Sequence, residues 1–150
     1  MCRVIVDAHF IHEVVSKTCC QDLLPIRTAI MQRKLTLVYG GTKLRKEFAS
    51  VQSQLATLDR AGMASLMPQM DVDQEEKQLE ESPHLKSNDA HIIALARISG
   101  SRLLCTNDQT LQTDFKNLNL LQSPKGNVYK NGSHKHLIKR PCSPLRTHGA

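Results

Sequence analysis

Apolar and polar positions change period repeatedly along this chain, and each change marks an element. Cys2-Arg3-Val4-Ile5-Val6 is a short, β-branched run that stops at Asp7. A run of this kind, cut off by an acid, predicts a buried parallel strand delivering one polar side chain to the sheet edge. Residues 11 to 34 read as one or two helices broken near Cys19-Cys20 and Pro25, with Ile26, Ala29 and Ile30 at helical spacing. Leu35 to Tyr39 predicts a second strand, closed by Gly40-Gly41. From Thr42, Leu44, Phe48, Val51, Leu55 and Leu58 fall at steps of 4, 3, 4 and 3, the apolar stripe of one amphipathic helix that Gly62 ends.

Residues 64 to 70 predict a short third strand, and Asp71 to Glu81 an acidic helix with little apolar surface, read as solvated. Pro83 interrupts it. Ser87-Asn88 then caps a helix over Asp89 to Ile98 that is apolar nearly all round and so buried on most sides. Gly100 ends that helix, and a strand over 102 to 106 follows at once. Asp108 to Phe115 predicts a short helix and Leu118 to Leu121 a last strand. Strands alternating with helices imply crossover connections, hence an α/β fold with a mostly parallel sheet and helices on both faces.

Composition narrows the class. Among 150 residues there is no Trp, and aromatics are 3%; the core must be aliphatic, and stacking platforms for single-stranded nucleic acid are disfavoured. No apolar run reaches the roughly 20 residues of a membrane span, and no signal-like segment opens the chain, so a soluble, cytoplasmic protein is expected. The five cysteines (2, 19, 20, 105, 142) match no zinc spacing and are expected to be reduced, structural thiols. The net charge of +6 is concentrated: residues 125 to 150 hold six Lys/Arg and no acid, while residues 1 to 124 hold fourteen of each sign. The chain therefore divides into a domain over 1–124 and a basic, weakly ordered tail over 125–150, whose expected partner is a polyanion.

Candidate chemistry gathers at one edge. Ligands of open α/β sheets bind at the carboxyl ends of the strands. Asp7 follows the first strand and Asp108 follows the strand at 102 to 106, which can be its neighbour. Asp89 opens the helix that runs antiparallel into that strand, and Glu47 lies on the helix that begins after Val38-Tyr39-Gly40-Gly41. Each acid has a plainer explanation as a helix cap, a dipole partner or an exposed residue. Four carboxylates at one edge, however, are tolerable only with protons or cations between them. An all-oxygen set selects a hard divalent ion, Mg²⁺ or Mn²⁺, which serves phosphoryl displacement. Lys43, Arg45 and Lys46 oppose the dipole at the start of the Thr42 helix, and a bound phosphate would explain them, as would a solvated face.

Val4-Ile5-Val6-Asp7, the Glu47 helix, Ser87-Asn88-Asp89-Ala90-His91-Ile92-Ile93-Ala94-Leu95-Ala96 and Leu103-Leu104-Cys105-Thr106-Asn107-Asp108, taken in order, resemble the PIN domain family over roughly residues 2 to 121. The resemblance implies a three-layer α/β/α fold and a metal-dependent endonuclease acting on RNA. It also implies that Asp7, Glu47, Asp89 and Asp108 hold Mg²⁺, with Thr106 and Asn107 as polar neighbours. Members of this size are commonly the toxin of a toxin–antitoxin pair, so a small antitoxin protein is an expected partner, and a homodimer is an open alternative. His9 stands where the family often carries Asn or a small residue, and Asp114 is a reserve for the last acid. The competing readings are a non-catalytic RNA- or protein-binding module of the same fold and a DNA nuclease.

Overall fold

The protein is described by a computed structural model covering residues 2–122 and 124–139. Among these residues five strands, β1 (Cys2–Val6), β2 (Leu35–Tyr39), β3 (Ala64–Leu66), β4 (Leu103–Cys105) and β5 (Asn127–Tyr129), form one sheet in the order β3-β2-β1-β4-β5. All four pairings are parallel. Among the described residues, eight α-helices flank the sheet: α1 (Ala8–Val15), α2 (Leu24–Met31), α3 (Thr42–Glu47), α4 (Gln52–Arg60), α5 (Gln69–Glu80), α6 (Ala90–Ser99), α7 (Gln109–Lys116) and α8 (His136–Lys139). The chain steps from β1 outward to β3, then returns to β4 on the other side of β1 and continues to β5. Right-handed crossovers put the helices of these two runs on opposite faces, giving the three layers of an α/β/α fold. The direction reverses between β1 and β4, so the switch-point crevice of the sheet opens beside the carboxyl end of β1. No helix among the described residues is long and apolar enough to cross a membrane.

The central strands are buried along their lengths. Val4, Ile5 and Val6 are at most 1% exposed, and every residue of β2 is buried. Ala90 to Ala96 of α6 are all buried, as an all-round apolar helix must be.

Four elements differ from their sequence-based expectation. The helix predicted from Thr42 to Leu58 is broken: α3 ends at Glu47 and a 3-10 turn over Ala49–Val51 leads into α4. Phe48 and Val51, three residues apart, stay buried through that tighter turn. The acidic helix α5 is not a solvated rod. Its Val72 and Leu79 are buried, it packs along α6, and Glu75 pairs with Arg97 at 2.8 Å. Two apolar positions suffice because α6 supplies the rest of the apolar contact. Leu79→Ala is accordingly expected to cost about 2–5 kcal/mol, read from urea unfolding; an exposed helix would lose almost nothing.

The strand expected at 118–121 is a turn, with Leu120 and Leu121 both donating to the Asn117 carbonyl, at 3.0 and 2.9 Å. The last strand is β5, beyond the expected domain boundary. Its Val128 and Tyr129 are buried, and the Tyr129 hydroxyl donates to the Asp22 carbonyl. A boundary at 124/125 therefore cuts the sheet, and residues 125–139 belong to the domain despite their basic charge. Residues 140–150 lie outside the described residues. Cys19, Cys20 and Cys105 are free thiols, as expected, whereas Cys2 is disulfide-bonded.

Candidate functional site

Register sets the site. Val6 of β1 lies opposite Cys105 of β4, so the next residues on each strand, Asp7 and Thr106, emerge side by side at the switch point. The Asp7 N–H continues the ladder by donating to the Cys105 carbonyl at 2.9 Å. The Thr106 hydroxyl, fully buried, donates to Asp7 Oδ2 at 2.6 Å and accepts from the Asp108 N–H at 3.1 Å. One hydroxyl thus orients the first acid and ties it to the loop of the last. Being fully buried, Thr106 offers no surface to a substrate; it serves as a polar neighbour that holds Asp7.

The plain explanation of the acids as helix caps divides them. Asp7 and Asp89 occupy the N-cap positions of α1 and α6, yet neither makes a side-chain cap hydrogen bond. Asp108 does cap α7, accepting from Leu111 N–H through Oδ1 at 3.0 Å. Asp89 is also not a comfortable carboxylate. Burial above all pushes its pKa above the ordinary 3.8, and the neighbouring charges of Asp7 and Asp108 push the same way, against the pull of His91 and Lys43. Asp89 therefore feels the charges of both Asp7 and Asp108 across the crevice. Among the described residues, no group of three or more His, Cys, Asp or Glu side chains is set to hold a metal ion.

A carboxylate whose pKa is raised by folding binds its proton more tightly in the folded state. Stability contributed at this residue then falls as pH rises from about 3.8 through the raised value. In EDTA, Asp89→Asn is expected to be more stable than wild type at pH 7, and the gap between their urea midpoints should close as pH falls towards 4. A gap that does not depend on pH would show that Asp89 is unstrained.

Glu47 reaches the site differently. It ends α3, and its Oε1 lies 3.0 Å from Nε2 of His91, which is 1% exposed while Glu47 is 36% exposed. The other ring nitrogen of His91, Nδ1, is buried without a partner. Glu76 on α5 joins this neighbourhood: burial raises its pKa and the nearby His91 charge lowers it. Asp73 anchors the start of α3 by accepting from the Thr42 N–H and hydroxyl, at 2.8 and 2.6 Å. Sequence reasoning passed over His91, Asp73 and Glu76. For His91 a signal existed, since it is the one ionisable group between Asp89 and Arg97 on an otherwise apolar helix.

The remaining candidates separate as well. Lys43 Nζ donates to the Asn88 carbonyl at 2.9 Å, beside Asp89. That contact gives the cation at the start of α3 a structural reason independent of phosphate. Arg45 bonds Gln69 at 3.1 Å and lines a groove of about 570 Å³ with Phe48, Ser50 and Ser53, which none of the four acids lines. Asn107 is exposed next to Asp108. His9 is 85% exposed, with Nδ1 3.8 Å from Asp7 Oδ2. Asp114, the reserve acid, is fully buried and bonded to the backbone of Lys86 and Ser87, so it does not complete the acidic set.

No family model, curated protein or solved structure matches this chain.

Proposed function

We propose that this chain is a Mg²⁺- or Mn²⁺-dependent endoribonuclease, the activity its resemblance to the PIN domain family implies. The observation that carries the reading is Asp89, an acid at a helix N-terminus that forgoes its cap bond and is held, half-buried, against the charges of Asp7 and Asp108. Such an arrangement costs stability unless a cation is bound, and an all-oxygen donor set fits a hard one. Mg²⁺ keeps several of its waters and needs only one or two direct carboxylates, so a converging set of three protein ligands is not required. When bound, the cation supplies an acidified water and neutralises charge on the phosphoryl oxygens.

The chain's own groups do the rest. Thr106 fixes Asp7, His91 holds Glu47 at the margin where it can accept a proton from an attacking water, and Asn107 faces solvent beside Asp108 for contact with the RNA backbone. Because β5 is parallel to β4, the basic segment with Lys130 and Lys135 begins at the same edge as the acids and suits a polyanion. A toxin controlled by a small antitoxin protein is the setting the resemblance implies.

A second reading, a non-catalytic RNA- or protein-binding module, is favoured by the engagement of Glu47 with His91. Purified protein incubated with labelled RNA and DNA pools in Mg²⁺, Mn²⁺ or EDTA decides among the readings. RNA cutting that EDTA abolishes is the expected result. Cutting confined to DNA would assign a DNA nuclease, and RNA binding with no cutting under any metal would assign the binding module.

A further inference from the structure

Asp114 is the one fully buried acid among the described residues, and everything it bonds is backbone of a single loop. Lys86 N–H is shared between Oδ1 and Oδ2, at 3.0 and 3.2 Å, and Ser87 N–H donates to Oδ2 at 2.7 Å. The loop then turns into Asp89, whose own N–H donates to the Ser87 hydroxyl at 3.2 Å. A relay thus runs from the Asp114 carboxylate through Ser87 to the backbone of Asp89. At its other end, Asp114 lies on α7, the helix that Asp108 caps.

We propose that Asp114 is a positioning residue that sets the separation of Asp89 and Asp108 across the cation site, an inference that rests on the reading of those acids given above. The chemistry is specific to a carboxylate. Two backbone N–H groups converge on it, and both of its oxygens accept, whereas an amide would turn an NH₂ group towards one of the donors. A buried carboxylate is an uneconomical way merely to pin a loop, since desolvating it offsets most of what its bonds contribute. Holding a ligand-bearing loop at a fixed place is the use that outer partners of metal ligands serve, and their loss weakens metal affinity by about tenfold to a hundredfold.

The test compares wild type, Asp114→Asn, Ser87→Ala and, as a control destabilised away from the site, Leu55→Ala. Two quantities are measured: amide hydrogen exchange at Ser87 and Asp89 in EDTA, and the affinity for Mn²⁺ alone by calorimetry. Asp114→Asn is expected to speed exchange at both amides by about tenfold, the worth of one hydrogen bond, and to weaken Mn²⁺ binding at least about tenfold. Ser87→Ala should speed exchange at Asp89 alone and weaken Mn²⁺ less, and Leu55→Ala should leave the Mn²⁺ affinity unchanged. Wild-type Mn²⁺ affinity or wild-type Asp89 exchange in Asp114→Asn overturns the proposal. Should that variant not fold, unchanged Mn²⁺ affinity in Ser87→Ala overturns it instead. A wild type that takes up no Mn²⁺ sinks the cation site itself, and this inference with it, which is distinguishable from a wild type that binds while the variant binds equally.

Discussion

Asp89→Asn and Asp7→Asn are each expected to lower metal-dependent RNA cleavage by at least about a hundredfold while leaving the fold intact. The magnitude follows from the upper end of what losing even an indirect partner of a metal ligand costs, which a ligand itself should exceed. Asn keeps the shape of Asp, and its oxygen can still accept the Thr106 hydroxyl bond that Asp7 receives at 2.6 Å. What it removes is charge. For Asp89 that charge is already opposed by burial and by its two acidic neighbours, so the inactive variant should also be the more stable one in the absence of metal. Loss of cleavage paired with a rise in the thermal midpoint in EDTA is a joint outcome that a disrupted fold cannot produce. Loss of cleavage paired with a fall in the midpoint would mean that Asp89 is structural.

Gly126→Ala is expected to destabilise the domain by about 3 kcal/mol, the upper end for overpacking. A Cβ at Gly126 would lie 2.1 Å from the Phe115 carbonyl oxygen and 2.7 Å from Phe115 Cδ2. The clash is with backbone and with a fully buried ring, neither of which can swing away. Because Gly126 precedes β5, the damage should concentrate in the β4–β5 pairing, visible as faster amide exchange at Asn127 and Thr106. Their N–H groups bond Arg102 O at 2.8 Å and Tyr129 O at 3.2 Å. A neutral outcome would mean that residues 125–139 are an appendage after all, as their charge alone suggests.

The two predictions test different halves of what could be read in advance. The strands β1, β2 and β4 and the helix α6 were legible because each carries a local signal, either a short apolar run with sharp ends or a helix apolar nearly all round between an acid and a glycine. Gly100, with φ +78°, stops α6 in the left-handed conformation that glycine adopts freely. β5 was not legible. Three residues, Asn127-Val128-Tyr129, are too few to show a period, and their basic surroundings outweighed them. The burial of α5 was hidden for a related reason, since a helix with two apolar contacts is indistinguishable from a solvated one until its partner is known.

The same division runs through the acids. The sequence by itself determined that Asp7 and Asp108 follow strands and that Asp89 opens a buried helix, because strand ends and helix starts are local events written in a few residues each. Only the tertiary structure decided what each acid is bonded to. The β1–β4 register sets Thr106 against Asp7, the return of the chain through α6 brings Asp89 within reach of both strand ends, and His91 draws Glu47 to that helix. It also decided that Asp114, equally acidic on paper, turns inward to hold a loop. Charge and polarity are properties of a residue, but whether a carboxylate caps, ligates or braces depends on which N–H groups and which other charges the fold sets within a few ångströms of it.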